Sequence, residues 1–505
     1  TGEHSMQNRL LFTVCVVVLL GLSPLSAAKR DAQLPQLAKM GSHEAVLGLL
    51  KTGVDVDSVS QDQSTALHWA VYQDDNHLTR LLLSNGADPN AVNRNGTTPL
   101  TLACTNANAG LVNRLLDAGA DPVLAPTGEP PLLTCSRTGS IAAVKALLSY
   151  GANANATESW RNQTSLMWAA NEDHIDVMRA LFERGASIDT TSNGGVTALM
   201  FAVRQNAQNA VRLLIDAGAT ISLETDPDQT RLGAAQNSVL SLAIQNTHYS
   251  VAAMLLAAGA DPNSRDGRGN TPLHDLVTSR SPRRHLGNSF VEAAAIDPSE
   301  LGSLDLMHQL LTRGADVNAR TEPVPIVHER WTDEGISSAG RPFIDNRINL
   351  GGATPYLLAT QAADLEVMQV LAANGADPRL ASYANNTPLM VAAGVGHVEG
   401  SRRFKSEEVA LEAVKFTLAA GVDVNASNAN GQTALHGAVY RAADSIVQHL
   451  MDAGAKTDFK DELGRTALDL AEQGFNQVAS LIRRDRTAEL LRTLGAASSN
   501  PKETE

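Results

Sequence analysis

The chain has 505 residues, 43% of them hydrophobic and 4% aromatic, with a formal charge of −14 at pH 7. That length exceeds what one ordinary compact core needs, and the apolar content is too high for wholesale disorder. The negative charge excludes a broad electrostatic grip on nucleic acid or on an anionic membrane, so neither is expected as a partner.

Met6 to Arg9 is a short polar start with one positive charge, and Leu10 to Leu22 is almost wholly apolar. Ser26, Ala27 and Ala28 supply small residues before the charged Lys29, Arg30 and Asp31. A run this short does not comfortably span a bilayer of about 30 Å. Residues 1–28 therefore read as a signal peptide cleaved near Ala28, with 1–5 as an upstream extension. An uncleaved single-pass anchor is the alternative. Cys15 precedes most of the apolar run, which is the wrong place for a lipid-anchor cysteine. Export, to the periplasm or outside the cell, is the expectation, with no stable membrane insertion after cleavage. The mature chain then holds Cys104 and Cys135, without metal-site spacing. They fall at equivalent small-residue positions of adjacent units, so core packing is the favoured reading and a disulfide the alternative.

Beyond this start the chain repeats itself. A Thr-small-Leu phrase opens each unit, as in Thr65-Ala66-Leu67-His68, Thr98-Pro99-Leu100, Thr197-Ala198-Leu199, Thr271-Pro272-Leu273-His274 and Thr433-Ala434-Leu435-His436. Pro130-Pro131-Leu132 and Ser238-Val239-Leu240 are worn copies. A second phrase closes each unit, as in Asn85-Gly86-Ala87-Asp88 and Ala118-Gly119-Ala120-Asp121. Leu67 to Leu100 and Gly86 to Gly119 are both 33 residues apart. The threonine oxygen caps a helix start, for about 1 kcal/mol, and proline is pre-set for the first turn. Val112, Leu115 and Leu116 have helical spacing in a second helix. Glycine ends that helix because it enters the left-handed region without steric cost.

Thr-Pro-Leu-His with Gly-Ala-Asp at this period resembles the ankyrin repeat, a turn followed by a helix pair. The likeness runs from about Asp31 to Leu494 in roughly twelve copies, with atypical first and last units that suit caps. It implies an all-α solenoid. The signal-like start and the segment Asn385 to Ala455 are also similar to exported bacterial ankyrin arrays. Regular repeats are expected over 29–220, repeats with inserts over 221–426, final repeats with a cap over 427–495, and a disordered tail over 496–505.

Four expansions interrupt the period. Gly218 to Leu240 takes 22 residues and Gly314 to Tyr356 takes 42, against about 14 elsewhere, which marks inserts at 221–237 and 320–352 in turns between repeats. Leu273 to Gly314 takes 41 and Leu389 to Gly421 takes 32, against 19, which marks inserts at 279–303 and 395–408 between the helices of one repeat. The 320–352 insert holds Trp331, Phe343 and several branched aliphatics, too apolar for a simple linker. It is expected to pack on the concave surface, as a structural patch, a binding element, or both. Arg280, Arg283, Arg284 and His285 read as a solvated loop.

No motif commits the chain to catalysis. Gly394-Val395-Gly396-His397-Val398-Glu399-Gly400 superficially matches a dinucleotide loop, but its last glycine is one place late and no strand precedes it. His328-Glu329 lacks a second histidine. No catalytic residue, cofactor or metal is expected, and the chain does not read as an enzyme. His68, His274 and His436 stand in the repeat phrase and are read as bonding neighbouring backbone.

The resemblance implies a protein-binding scaffold that meets its partner through turn tips, the concave face of the first helices, and insert loops. Those positions are Arg94, Asn95 and Trp160 at turns, and Tyr72, Gln73, Thr105, Asn106, Asn171, Glu172, Arg204, Gln205, Gln245, Asn246, Tyr440 and Arg441 on helices. Trp331 and Phe343 join them in the insert, while Trp69 and Trp168 read as packing. Alternative roles are a structural or protective partner of an exported enzyme, or an enzyme with its site in the inserts. The register itself is testable. Leu214→Ala is expected to cost about 2–5 kcal/mol, measured by denaturant unfolding, and an unchanged midpoint contradicts the assigned core face.

Overall fold

A computed structural model describes residues 33–222, 238–280, 285–286, 289–290, 301–323, 348–397, 406–477 and 480–496. Among them are twenty-four helices and two small hairpins, in two compact units, 1–220 and 221–505. The first unit holds six helix pairs: α1/α2 (Gln33–Lys39, His43–Leu50), α3/α4 (Ala66–Tyr72, Asn76–Ser84), α5/α6 (Pro99–Thr105, Ala109–Asp117), α7/α8 (Pro131–Thr138, Ile141–Ser149), α9/α10 (Ser165–Asn171, Ile175–Glu183) and α11/α12 (Ala198–Arg204, Gln208–Asp216). The second holds α13/α14 (Val239–Gln245, Tyr249–Ala257), α15/α16 (Pro272–Ser279, Ser303–Thr312), α17/α18 (Pro355–Gln361, Leu365–Ala373), α19/α20 (Pro388–Ala393, Glu407–Ala419), α21/α22 (Ala434–Arg441, Asp444–Asp452) and α23/α24 (Ala467–Gln473, Asp485–Thr493). An antiparallel hairpin, β1/β2 (His285–Leu286, Ser289–Phe290), lies between α15 and α16. A second, β3/β4 (Phe475–Gln477, Ser480–Ile482), lies between α23 and α24. The fold is thus the expected helical repeat stack, with hairpins grafted onto two inter-helix turns.

Each pair begins as its sequence dictates. Thr98 Oγ1 accepts the Thr101 N–H at 3.1 Å, and Pro99 sits at the first helical position. Each closing glycine enters the left-handed region, with φ +85 at Gly86 and +92 at Gly119. Within each unit the first helices pack in an unbroken row, each on the next. Leu67, Ala70 and Val71 of α3 and Leu78 and Leu82 of α4 are fully buried. A helix of seven residues is too short to be stable alone, so its stability comes from this packing.

Polar groups lock the register between neighbours. Asn90 Nδ2 donates to the Gly119 carbonyl at 3.0 Å while Asn90 Oδ1 accepts the Asp121 N–H at 2.7 Å. Asn155, Asn263, Asn318 and Asn425 make the same two bonds to the following unit. A one-bond link joins successive turn tips, as from the Arg94 N–H to the Asp62 carbonyl at 2.9 Å and from the Asn193 N–H to the Arg161 carbonyl at 2.8 Å.

Two sequence readings change. Cys104 and Cys135 form a disulfide between α5 and α7, with their Cα atoms 4.6 Å apart. They are not strictly equivalent, since Cys104 lies six residues past Thr98 and Cys135 five past Pro130, and this offset turns them toward each other. Arg280 is not a solvated loop residue. It ion-pairs with Asp364 at 2.9 Å and Glu366 at 3.0 Å, tying α15 to α18. Arg283 and Arg284 lie outside the described residues.

The three phrase histidines are buried couplers, in agreement with their reading as backbone-bonded. The Thr65 N–H donates to His68 Nδ1 at 3.1 Å, which leaves Nε2–H to donate to the Thr97 carbonyl of the next unit at 3.0 Å. His274 bonds Thr271 and Ala353, and His436 bonds Thr433 and Arg465, in the same way. Protonating Nδ1 would break the first bond. Burial, the largest cause, holds all three below the ordinary value of 6.5, His274 at about 4. An unfolded chain therefore binds protons that the native chain refuses, and stability falls as pH drops from about 6.5 toward about 4. Urea midpoints measured from pH 7 to 4.5 are expected to fall across this window, and less steeply in His274→Gln. An equal slope in the variant contradicts the neutral-histidine coupling.

Candidate functional site

Counting from each N-cap shows which residues face outward. Positions two, five and six go to the core, as Leu67, Ala70 and Val71 do after Thr65. Positions four, seven and eight face away from the second helices. In the first unit the position-four row is Trp69, Leu102, Thr134, Trp168 and Phe201, and the position-seven row is Tyr72, Thr105, Arg137, Asn171 and Arg204.

Two aromatic clusters mark this face. Trp69 is half-buried, with Lys39 Nζ 4.3 Å from its ring centroid and Tyr72 edge-on at 5.9 Å. Tyr72 is 61% exposed. Two units on, Arg137 lies 5.3 Å over Trp168, Trp168 lies 6.2 Å from Phe201, and Arg204 lies 4.9 Å from the Phe201 ring. Trp160 is 52% exposed at the turn before α9. Its carbonyl accepts from Asn193 Nδ2 at 3.2 Å, and its N–H donates to Glu158 at 2.7 Å, so the backbone that presents the ring is fixed.

The other expected contact residues divide by what they bond. Arg94, Asn95, Thr105, Glu172 and Gln205 are exposed. Gln73 is exposed with its amide on the Lys39 carbonyl. Asn106 donates to the Val71 and Tyr72 carbonyls at 2.8 and 3.2 Å, closing the end of the preceding first helix, so its amide serves the stack. Asn171 bonds Glu172 at 2.9 Å. In the second unit Gln245 bonds Asp275 at 3.0 Å and Asn246 bonds the Leu242 carbonyl at 2.8 Å, which makes both half-buried structural contacts.

Tyr440 is a correction. It is fully buried, edge-on to Phe475 at 4.8 Å, with its hydroxyl accepting from Gln432 Nε2 at 3.2 Å. The β3/β4 hairpin brings Phe475 over it, and no regular repeat supplies such a lid. Arg441 is half-buried and donates to the Ser406 carbonyl at 3.2 Å. Trp331 and Phe343 lie outside the described residues.

Residues that sequence reading missed are Lys39, Arg137 and Arg161, and the grouping of Trp168 with Phe201. Arg137 holds position seven of a worn copy whose opening Pro130 hid the register. In the second unit the corresponding face is partly covered by the chain itself. Ile348 and Leu350, the end of the long insert, pack with Leu358 against Ala353, Leu357 and Val391. Gly396, at φ +89, has no side chain where Ile348 lies, since a Cβ would come within 2.7 Å of it. A Cβ on Gly394 would meet the Gly437 carbonyl at 2.3 Å. Packing thus explains two of the glycines in the segment that superficially matches a dinucleotide loop. Among the described residues no group of three or more His, Cys, Asp or Glu is placed to hold a metal, and no helix is long and apolar enough to cross a membrane.

The family models agree with this architecture. A family model for ankyrin repeats in three copies matches residues 34–125, 110–192, 132–225, 188–266 and 404–492, and a single-repeat model matches 268–322. The chain is similar to a transient receptor potential cation channel subfamily A member 1 homolog of Caenorhabditis elegans, at 28% identity over 177 residues, covering 34% of this chain and 13% of that one. It is 34% identical over 106 residues to the NF-kappa-B inhibitor alpha of Rattus norvegicus, covering 17% of this chain and 32% of that one. The human ASB11 ankyrin repeat domain aligns with 45% of this chain and 98% of its own, at 29% identity and a TM-score of 0.41. The chain thus spans about a third or less of the length of these two curated relatives. Family models across more than half of the sequence, on a stack of capped helix pairs at the matching period, place this chain in the ankyrin repeat family.

Proposed function

We propose that this protein is an exported protein-binding scaffold, and that its partner lies along the first-helix face and turn tips of the first unit. The observation that carries this reading is the open row there. Tyr72, Trp160 and Arg204 are exposed beside half-buried tryptophans, while the matching face around Leu357 and Val391 is occupied by Ile348 and Leu350. Exposed aromatics and arginines on a rigid scaffold are the residue types that concentrate interface energy. Export is supported by the apolar run Leu10 to Leu22 with its small-residue exit. It is also supported by the Cys104–Cys135 disulfide, a bond that persists in oxidising compartments and is rare in the cytosol.

Photo-crosslinkable residues in place of Tyr72 and of Asn113, which is exposed on a second helix, test the binding face. The Tyr72 site is expected to trap a partner from the native envelope or secreted fraction, and the Asn113 site none. Trapping only from Asn113 overturns the assignment. Removing 6–28 is expected to leave the chain in the cytoplasm with Cys104 and Cys135 open to alkylation. Replacing 324–347 by a short Gly/Asn turn, with Ile348 and Leu350 kept, is expected to preserve helicity, because Thr321 Oγ1 already bonds the Leu350 carbonyl at 3.3 Å. Normal capture by that variant places the partner on the regular repeats, as proposed, and lost capture places it on the insert.

A further inference from the structure

The first-helix face of α7, α9 and α11, with the turn before α9, carries Arg137, Arg161 and Arg204 and the exposed acid Glu172. Arg137 is neutralised by Glu129 at 3.1 Å. Arg204 and Arg161 have no carboxylate partner among the described residues, and both are exposed. Glu158, the buried acid nearest in sequence to Arg161, already accepts the N–H groups of Trp160, Arg161 and Gln163 at 2.7 to 3.0 Å. The Glu172 carboxylate accepts from Asn171. Burial of the side that lies on Phe201, and then the neighbouring positive charge of Arg161, push the Arg204 pKa below its ordinary value. The Arg161 carbonyl accepts the Asn193 N–H at 2.8 Å, which ties its turn to the one leading into α11, where Arg204 lies on Phe201, in a chain whose net charge is −14.

We propose that Trp160, Arg161, Trp168 and Arg204, the last laid on the buried Phe201, receive a carboxylate-rich, extended segment of the partner protein. This rests on the reading that the partner occupies the first-helix face of the first unit. A guanidinium laid on an aromatic ring keeps its N–H edge free to bind a carboxylate with two parallel bonds. A ligand carboxylate would relieve the repulsion between the two arginines, so the site favours an anion over a neutral segment. A long polyanion such as nucleic acid would meet the repulsion of the whole acidic chain. A short acidic stretch needs only the local pair.

The test uses the full chain and a fluorescent twelve-residue peptide of alternating Glu and Ser, followed by anisotropy. A Lys/Ser peptide and a twelve-base oligothymidylate serve as comparators. The Glu/Ser peptide is expected to bind at low ionic strength, to weaken with salt, and to lose roughly tenfold or more in affinity in R161Q/R204Q. R80Q, which removes an exposed arginine on the second helix α4, outside the strip and the assigned binding face, is expected to bind as the parent does. Both arginines of the strip are exposed, so circular dichroism is expected to be unchanged, and R161E/R204E is expected to switch preference to the Lys/Ser peptide. Undiminished binding in R161Q/R204Q, no switch on charge reversal, or equal binding of oligothymidylate each overturns the proposal. A partner that still crosslinks at Tyr72 and is captured normally by R161Q/R204Q removes this inference alone. Loss of the Tyr72 crosslink removes the scaffold reading beneath it.

Discussion

No helix pair in this protein can bury its own apolar side, and everything else in the structure answers to that constraint. A first helix of seven residues and a second of nine are below the length at which an isolated helix is stable in water. Leu67, Leu78 and Leu82 become core only because the flanking units cover them. Each unit must therefore hold its neighbour in one register, and apolar contact alone is too permissive to do so.

The polar couplings supply that register. Asn90 and its counterparts grip the glycine carbonyl and the following N–H of the next unit, and a phrase histidine bonds the carbonyl just before the next N-cap. These bonds persist across the interruptions. His274 reaches Ala353, and Asn318 reaches Gly375 and Asp377, although the long insert lies between the units they join. Loop closure cost grows slowly with length, so an insert that leaves these couplings intact is tolerated at a turn.

A stack built this way separates stability from recognition. Core positions and couplers sit on the inner sides of the helices and at the turns. The exposed residues at positions four, seven and eight past the N-caps are left to vary without disturbing the register. The first unit fills them with tryptophan, tyrosine, phenylalanine and arginine. The second unit turns part of the same face inward, under Ile348 and Leu350. Where a side chain on this face also caps a neighbouring helix, as Asn106 does, stability claims it and it is a poorer contact residue than its exposure suggests.

The amino-acid sequence by itself determined the period, the helix starts and ends, and the core positions. Each of these rests on local chemistry: a threonine oxygen at a helix start, a glycine in the left-handed region, leucines at helical spacing. The histidines and closing glycines were legible for the same reason. Tertiary structure alone decided what depends on the neighbouring unit. The grip of Asn90 on the Gly119 carbonyl exists only once the next unit stands beside it. Cys104 and Cys135 read as packing until the offset between adjacent first helices turns them together. Tyr440 reads as exposed until the β3/β4 hairpin lays Phe475 over it. The pairing of Trp168 with Phe201 under two arginines crosses units, and a contact between units leaves no trace in the spacing within one.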